Sequence, residues 1–315
     1  MLIKEADDRG GDIAALTELL RQARDDGRTR QRIEQEIRNI QAGVAAEREA
    51  AREIDFYYGS SPKYAVIHDL RLDVDGRVAQ IDHLLIARFL VIWVCETKHF
   101  AEGVGVNELG EWMSYWKGQE RGIRSPIEQN RKHQAVLKDV FERESVRRPR
   151  RFGVTVKPEL RGLVLVSTRA KITRPSGGNG ARVEGLESVI KTDQMDATVQ
   201  RQMDGILDAT GTIRAMVRLL SSSALREFGQ QLAALHKPIA NDWAARFGIE
   251  TPLRRALSEQ HALTFAEAPT AGACALCHAP VSQRVAAYCA GNATRLGDRI
   301  LCYKCQRRPA VPGSR

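Results

Sequence analysis

Three apolar runs follow one another between residues 64 and 97, and they constrain the fold more than any other feature of the chain. Residues 64–74, 78–87 and 89–97 are rich in Val, Ile and Leu, and Asp75-Gly76 supplies a tight turn between the first two. A three-stranded antiparallel meander is predicted. Its edge carries charges that a core sheet has no use for. Asp82 stands near the start of the second strand, and Glu96 and Lys98 end the third.

The remaining pattern is helical on both sides of this sheet, with one further strand. Residues 12–58 read as helix, broken near Asp26-Gly27, and Ile33, Ile37, Ile40, Val44, Glu47, Ala51, Ile54 and Tyr58 draw a continuous stripe along the second part. Glu47 is the anomaly in that stripe, because a carboxylate on a buried face needs a metal or a lysine as partner. Residues 103–110 are a loop or short strand. Ser125-Pro126 starts a helix that runs to about Glu144 and turns Ile127, His133, Val136, Leu137, Val140 and Phe141 inward. Arg147-Arg-Pro-Arg-Arg151 is a basic bend, residues 160–168 suit the interior of a sheet, and residues 175–180 form a loop. Helices resume over about 185–263, and residues 268–272 link to a short cysteine-bearing segment.

Alternation along a strand directs Glu96 and Lys98 to one side, and Cys95, Thr97 and His99 to the other; Gln80, Asp82 and Leu84 share a face. Carboxylates that meet where a sheet frays suit a hard cation such as Mg²⁺, and a nearby lysine offsets charge developing on a phosphate. The Glu96-Thr-Lys98 triplet is worth little alone. With 39 acidic residues and 11 lysines in 315 positions, about one such spacing arises by chance. Its context raises its value: a strongly apolar strand, Asp82 on the adjoining one, and Glu47 on the preceding helix. The plainer reading makes Asp82 a turn cap, Glu96 and Lys98 a solvated strand end, and Glu47 the partner of an arginine. His83 and His99 read as packing or surface residues, and Cys95 as a buried free thiol.

Four pieces, Ala42-Gly-Val-Ala-Ala-Glu-Arg48, Gln80-Ile-Asp-His83, Glu96-Thr-Lys98 and Ser125-Pro-Ile-Glu-Gln-Asn130, resemble the nuclease-related domain (NERD) family, a branch of the restriction-endonuclease-like PD-(D/E)xK superfamily. They span about residues 40–142. The resemblance implies Glu47, Asp82 and Glu96 as acidic metal-site residues for Mg²⁺ or Mn²⁺, Lys98 as the catalytic lysine, and Gln129 as a helix residue facing the site. Ile-Asp stands where the superfamily has Pro-Asp, and Ser125 where Asn is expected.

Cys274-Ala-Leu-Cys277 and Cys302-Tyr-Lys-Cys305 are two knuckles whose four sulfurs can close one structural Zn²⁺ site. Metal supplies folding energy that so short a segment lacks. His278 is surplus, and Cys289 is either a spare buried thiol or a substitute ligand. The segment resembles the zinc fingers of bacterial type IA topoisomerases, which implies binding to single-stranded DNA. Residues 270–315 carry Arg284, Arg295, Arg299, Lys304, Arg307, Arg308 and Arg315 against Asp298 alone, with Tyr288 and Tyr303 as stacking surfaces. A solvated tail or a protein-binding ribbon is the alternative.

The expected fold is therefore α/β (α+β): a restriction-endonuclease-like mixed sheet flanked by helices, plus a helical segment and a small zinc-ribbon module. The expected divisions are an N-terminal helical extension (1–40), a nuclease-like domain (41–205), a helical region (206–266) and the four-cysteine finger (270–310). The expected activity is metal-dependent hydrolysis of DNA, single-stranded and branched forms included, ahead of RNA. A formal net charge of +9 fits a polyanionic partner. The rival is a catalytically inactive nucleic-acid-binding or signalling scaffold with a zinc-ribbon interaction module. No apolar run is long enough to span a bilayer and no signal-peptide pattern opens the chain, so a cytoplasmic protein without a membrane partner is expected. Oligomeric state stays open.

Overall fold

A computed structural model of the chain describes residues 1–23, 26–100, 102–175, 183–249 and 270–307. It divides into two compact units, Met1–Trp243 and Ala244–Arg315. The first begins with strand β1 (Leu2–Lys4) and helices α1 (Gly10–Gln22) and α2 (Gly27–Ile54), followed by one π-helical turn, Asp55–Gly59. The predicted meander follows as β2 (Tyr64–Val74), β3 (Arg77–Ala87) and β4 (Val91–Lys98), antiparallel in sequence. A smaller sheet contains β5 (Gly103–Val106), β6 (Trp112–Trp116) and β7 (Gln119–Ile123). Then come α3 (Pro126–Glu142), a hairpin of β8 (Arg150–Arg151) and β9 (Val154–Thr155), and β10 (Glu159–Val166). Strands β11 (Lys171–Thr173) and β12 (Val189–Lys191) and helices α4 (Met195–Arg218) and α5 (Ser222–Ala233) complete the described core of this unit.

The main sheet has the order β1-β2-β3-β4-β10-β12. Strands β4, β10 and β12 run parallel and β2, β3 and β4 antiparallel, so the sheet is mixed. Its two faces bury separate clusters. Leu84, Ile86, Ile92 and Val94 pack with Val136, Leu137 and Val140 of α3 and with Phe228 of α5. Leu85, Trp93, Cys95 and Leu163 pack on the other face with Ala50 and Ile54 of α2 and with Val199 of α4. A mixed sheet with helices on both faces is the expected architecture. Strand β10 is flanked by β4 and β12 and so lies inside the sheet, as its apolar sequence predicts.

Three expectations need correction. The stripe on α2 is not one buried seam. Ile33, Ala46, Ala50 and Ile54 are the buried positions, whereas Ile40, Val44 and Glu47 line a cleft. Helix α2 is α-helical only to Ile54, because the π turn carries residues 55–59 and rotates the chain before β2. Gln80, Asp82 and Leu84 do not share a face. Asp69 takes a left-handed φ of 51° inside β2, and the phase of β2 and β3 slips there. Ile67, Leu70, Ile81 and Leu84 all join the same cluster, which leaves Gln80 and Asp82 on the cleft. The hairpin β6–β7, turning at Lys117-Gly118 with φ 51° and 69°, has no counterpart among the expected elements.

Helix α2 runs unbroken through residue 40, where a domain boundary was expected, and β1 is part of the main sheet. Residues 176–180 of the expected loop, 250–263 of the expected helical stretch, 268–269 of the linker, and Arg308 and Arg315 lie outside the described residues. In the second unit, β13 (Thr270–Ala273) and β14 (Pro280–Ser282) form a hairpin followed by a helix at Gln283–Gly291 and two shorter turns. No helix among the described residues is long and apolar enough to cross a membrane.

Candidate active site

The β3–β4 ladder ends at the pair His83–Cys95. One step further the strands part, and the Asp82 carboxylate stands in for the missing ladder partner: Oδ2 accepts the Thr97 amide at 2.6 Å. Glu96 keeps the phase of Val94 and faces α3. It is 3% exposed, and its Oε1 receives both Lys98 Nζ at 2.7 Å and Gln129 Nε2 at 2.6 Å. Its Oε2 lies 3.2 Å from His133 Nδ1. The two atoms miss hydrogen-bond alignment, so both are buried without a bonded partner. The four-residue spacing of Gln129 and His133 thus brings both to one carboxylate.

Helix α3 is positioned by the residue next to Gln129. Asn130 is 2% exposed, and its Nδ2 donates to the carbonyls of Val94 (2.7 Å) and Leu163 (3.0 Å), tying α3 across β4 and β10. The approach is so close that a Cβ on Gly162 would stand 2.8 Å from Asn130 Oδ1 and 2.7 Å from Gln134 Nε2. Sequence reasoning gave Asn130 no part, although it belongs to the quoted motif.

Glu47 and Asp82 line a cleft of about 280 Å³ with Arg9, Ile40, Asp69 and Gln80. Glu96 and Lys98 are not on its wall. Burial, Asp69 and Glu96 push the Glu47 carboxyl up to about 7, against the opposing pull of Arg9 and Lys98. Asp82 is half-buried by exposed area, yet burial is the main cause that holds it well above the usual carboxylate range. Glu96 and Glu47 add to that shift, while the Thr97 amide and Lys98 oppose it. The three carboxylates therefore sense one another. They do not close to ligand spacing: among the described residues, the one group of three or more His, Cys, Asp or Glu ligand atoms all within 4.8 Å of one another is the cysteine cluster. Asp69 adds a further carboxylate on the cleft wall, held by the Gln80 side-chain amide and the Asp7 backbone.

A buried polar chain approaches the same edge from the α2 side. His68 Nε2 lies 3.2 Å from Asp55 Oδ1, His68 Nδ1 lies 2.8 Å from His83 Nδ1, and His83 Nε2 lies 3.1 Å from Thr97 Oγ1. Burial disfavours the charged form of both imidazoles, His83 most strongly, and with both neutral one tautomer pattern satisfies every atom. Thr97 donates to His83, His83 to His68, and His68 to Asp55. Thr97 is thus held by its hydroxyl as well as by its amide. His83 is a core residue, His99 is exposed, and Cys95 is a buried free thiol whose ionisation burial suppresses.

Residues 42–164 match the family model of the nuclease-related domain, NERD. The match covers every acidic and lysine position of the edge, together with Gln129 and Asn130. It supports a nuclease-related function for the stretch. No curated protein and no solved structure matches the chain.

In the second unit, the sulfurs of Cys274, Cys277, Cys302 and Cys305 lie within 4.8 Å of one another, with Cys277 and Cys302 at 3.5 Å. A tetrahedral Zn–S₄ centre has S–S edges of about 3.8 Å, so the donor set and its spacing fit zinc. Backbone hydrogen bonds draw the Cys274 thiol down to about 6 and lower Cys302 as well, while hydrogen bonding with Cys302, then burial, pushes Cys305 up to about 12. Cys289 is not a member of the set. Its sulfur is occupied by the Leu301 backbone and by Gln306 Nε2 at 3.3 Å.

Proposed function

We propose that the chain is a Mg²⁺- or Mn²⁺-dependent nuclease that hydrolyses phosphodiester bonds in DNA. The observation that carries this reading is the broken end of the β3–β4 ladder, where Asp82 accepts the Thr97 amide between Glu96 and Lys98 and lines one cleft with Glu47. The donor chemistry fits a divalent cation. Carboxylates that raise one another's pKa call for positive charge, and Glu96 Oε2 is buried without a bonded partner.

Glu47, Asp82 and Glu96, which are not at ligand spacing as they stand, would draw together to hold the ion, which when bound would act as a Lewis acid on a phosphate oxygen and make a nearby water more acidic. Gln129 and Lys98 orient Glu96 through Oε1. Lys98 is the one of these side chains with an ammonium to spare for the reaction, orienting the attacking water and offsetting charge on the phosphate. Asp82 fixes the backbone between Glu96 and Lys98 through the Thr97 amide, so a change at Asp82 disturbs both neighbours. The second unit is read as a structural zinc module that contributes basic surface, with Tyr288 and Tyr303 exposed.

Plasmid and single-stranded DNA are the test substrates, with Mg²⁺ or Mn²⁺ present. Wild type should cut, and Glu96→Ala and Lys98→Ala should each lose at least about a hundredfold in rate. Equal cutting by the Glu96→Ala protein, or none by wild type in either metal, would end this reading.

A further inference from the structure

Between α3 and β10 the chain forms a small hairpin that serves neither the core nor the proposed site. Arg150 pairs with Thr155 and Arg151 with Val154, so Phe152 and Gly153 alone make the turn. Their φ angles of 48° and 78° are both left-handed, as a type I′ turn demands. Glycine adopts this conformation freely, but a bulky residue does so under strain. The fold gains no burial from Phe152, which is 78% exposed beside a Val154 that is 55% exposed.

Charge surrounds this apolar tip. Residues 145–158 contain Arg147, Arg148, Arg150, Arg151 and Lys157 and no acidic residue. The Arg151 guanidinium lies 5.0 Å from the centre of the Phe152 ring, and its Nε is buried without a hydrogen-bond partner. The base of the hairpin is firm. Val146 and Val156 are buried in the main core, and the Val156 amide donates to the Pro149 carbonyl at 2.9 Å. A groove of about 620 Å³ follows α3 from Arg131 to the base of the hairpin; Arg131, Lys138, Glu142, Arg148 and Lys157 line it, with Arg131, Lys138 and Arg148 paired to Glu128, Glu142 and Glu144.

We propose that the hairpin is a single-strand nucleic-acid finger: the arginines take backbone phosphates, and Phe152 stacks on an unpaired base. Every base has a π-face, and a phenyl ring set among guanidinium groups is suited to receive one. A single strand is favoured because a duplex would have to be unstacked before its bases met the ring. Strand β10 runs from Glu159 beside Val91 to Val166 beside Lys98, so the start of this strand, which follows the hairpin in the chain, lies about 23 Å from Lys98 along the sheet. The direction of the strand toward Glu96 rests on the nuclease reading; the binding does not.

The test uses the full chain carrying Glu96→Ala, so that a bound strand stays intact. The anisotropy of a labelled 20-nucleotide single-stranded DNA is measured across a series of KCl concentrations. Adding Phe152→Asn should weaken binding about tenfold and leave the salt slope unchanged. It should keep or raise the melting temperature, because Asn accepts a left-handed φ more readily than Phe. The Arg150→Ala/Arg151→Ala pair should reduce the salt slope by about 1.4. Unchanged affinity in the Phe152→Asn protein, or no binding of the strand by its parent, overturns the finger. Cleavage by wild type together with Phe152-independent binding would remove the finger and leave the nuclease. Phe152-dependent binding with no cleavage by wild type would do the reverse.

Discussion

Glu47 stands on the wall of a cleft with Asp69 and Asp82, and burial together with the charges of Asp69 and Glu96 holds its carboxyl near 7 rather than at its ordinary 4.5. The folded state therefore binds the proton more tightly than the unfolded chain does. That preference stabilises the fold below about pH 4.5 and is lost as the pH rises through 4.5 to about 7. In buffer free of divalent cations, the urea midpoint should fall across that window, and Glu47→Gln should flatten the fall; a parallel pH profile in the variant would refute the assignment. Some slope should persist, because Asp82 is shifted in the same direction. The sequence made these positions visible because a carboxylate in an apolar run is out of place. Asn130 and His133 were less legible. A polar residue on the inner face of a helix looks the same whether it packs, bonds a carbonyl or faces a carboxylate, and only the distances through space separate those cases.

Elements differ in legibility for the same kind of reason. Strands β2–β4 announce themselves by apolar runs and a turn, and α3 by its Ser125 cap, which accepts the Glu128 amide. The β6–β7 hairpin escaped because its return strand Gln119–Ile123 is polar and largely exposed, and its turn is Lys-Gly rather than Asn-Gly. The phase slip at Asp69 and Asp82 escaped because alternation assumes regular strands. The clamp between α3 and the sheet yields a prediction at this scale. Asn130→Ala removes the donor that serves the Val94 and Leu163 carbonyls and leaves both buried, at a cost of about 2–3 kcal/mol in urea unfolding. A change under about 0.5 kcal/mol would show that the core alone positions the helix.

At the scale of the molecule, two compact units mean that the cysteine cluster answers for the second alone. Purified protein should carry one zinc per chain. Stripping it with a strong chelator should abolish hydrogen-exchange protection over residues 270–307 and leave β2, β3 and β4 protected. Retained protection in the stripped protein would assign the cysteines to some other use. The parallel partnership of β4 with β10 also bears on how the protein is made. Val91–Cys95 is wholly buried in the finished sheet, yet its second neighbour begins only after the sixty residues from 99 to 158. While a ribosome is still extruding that interval, the nascent chain presents a bare Val-Ile-Trp-Val-Cys edge, a template for pairing with other chains. Only when β10 arrives on one side of β4 is that edge closed.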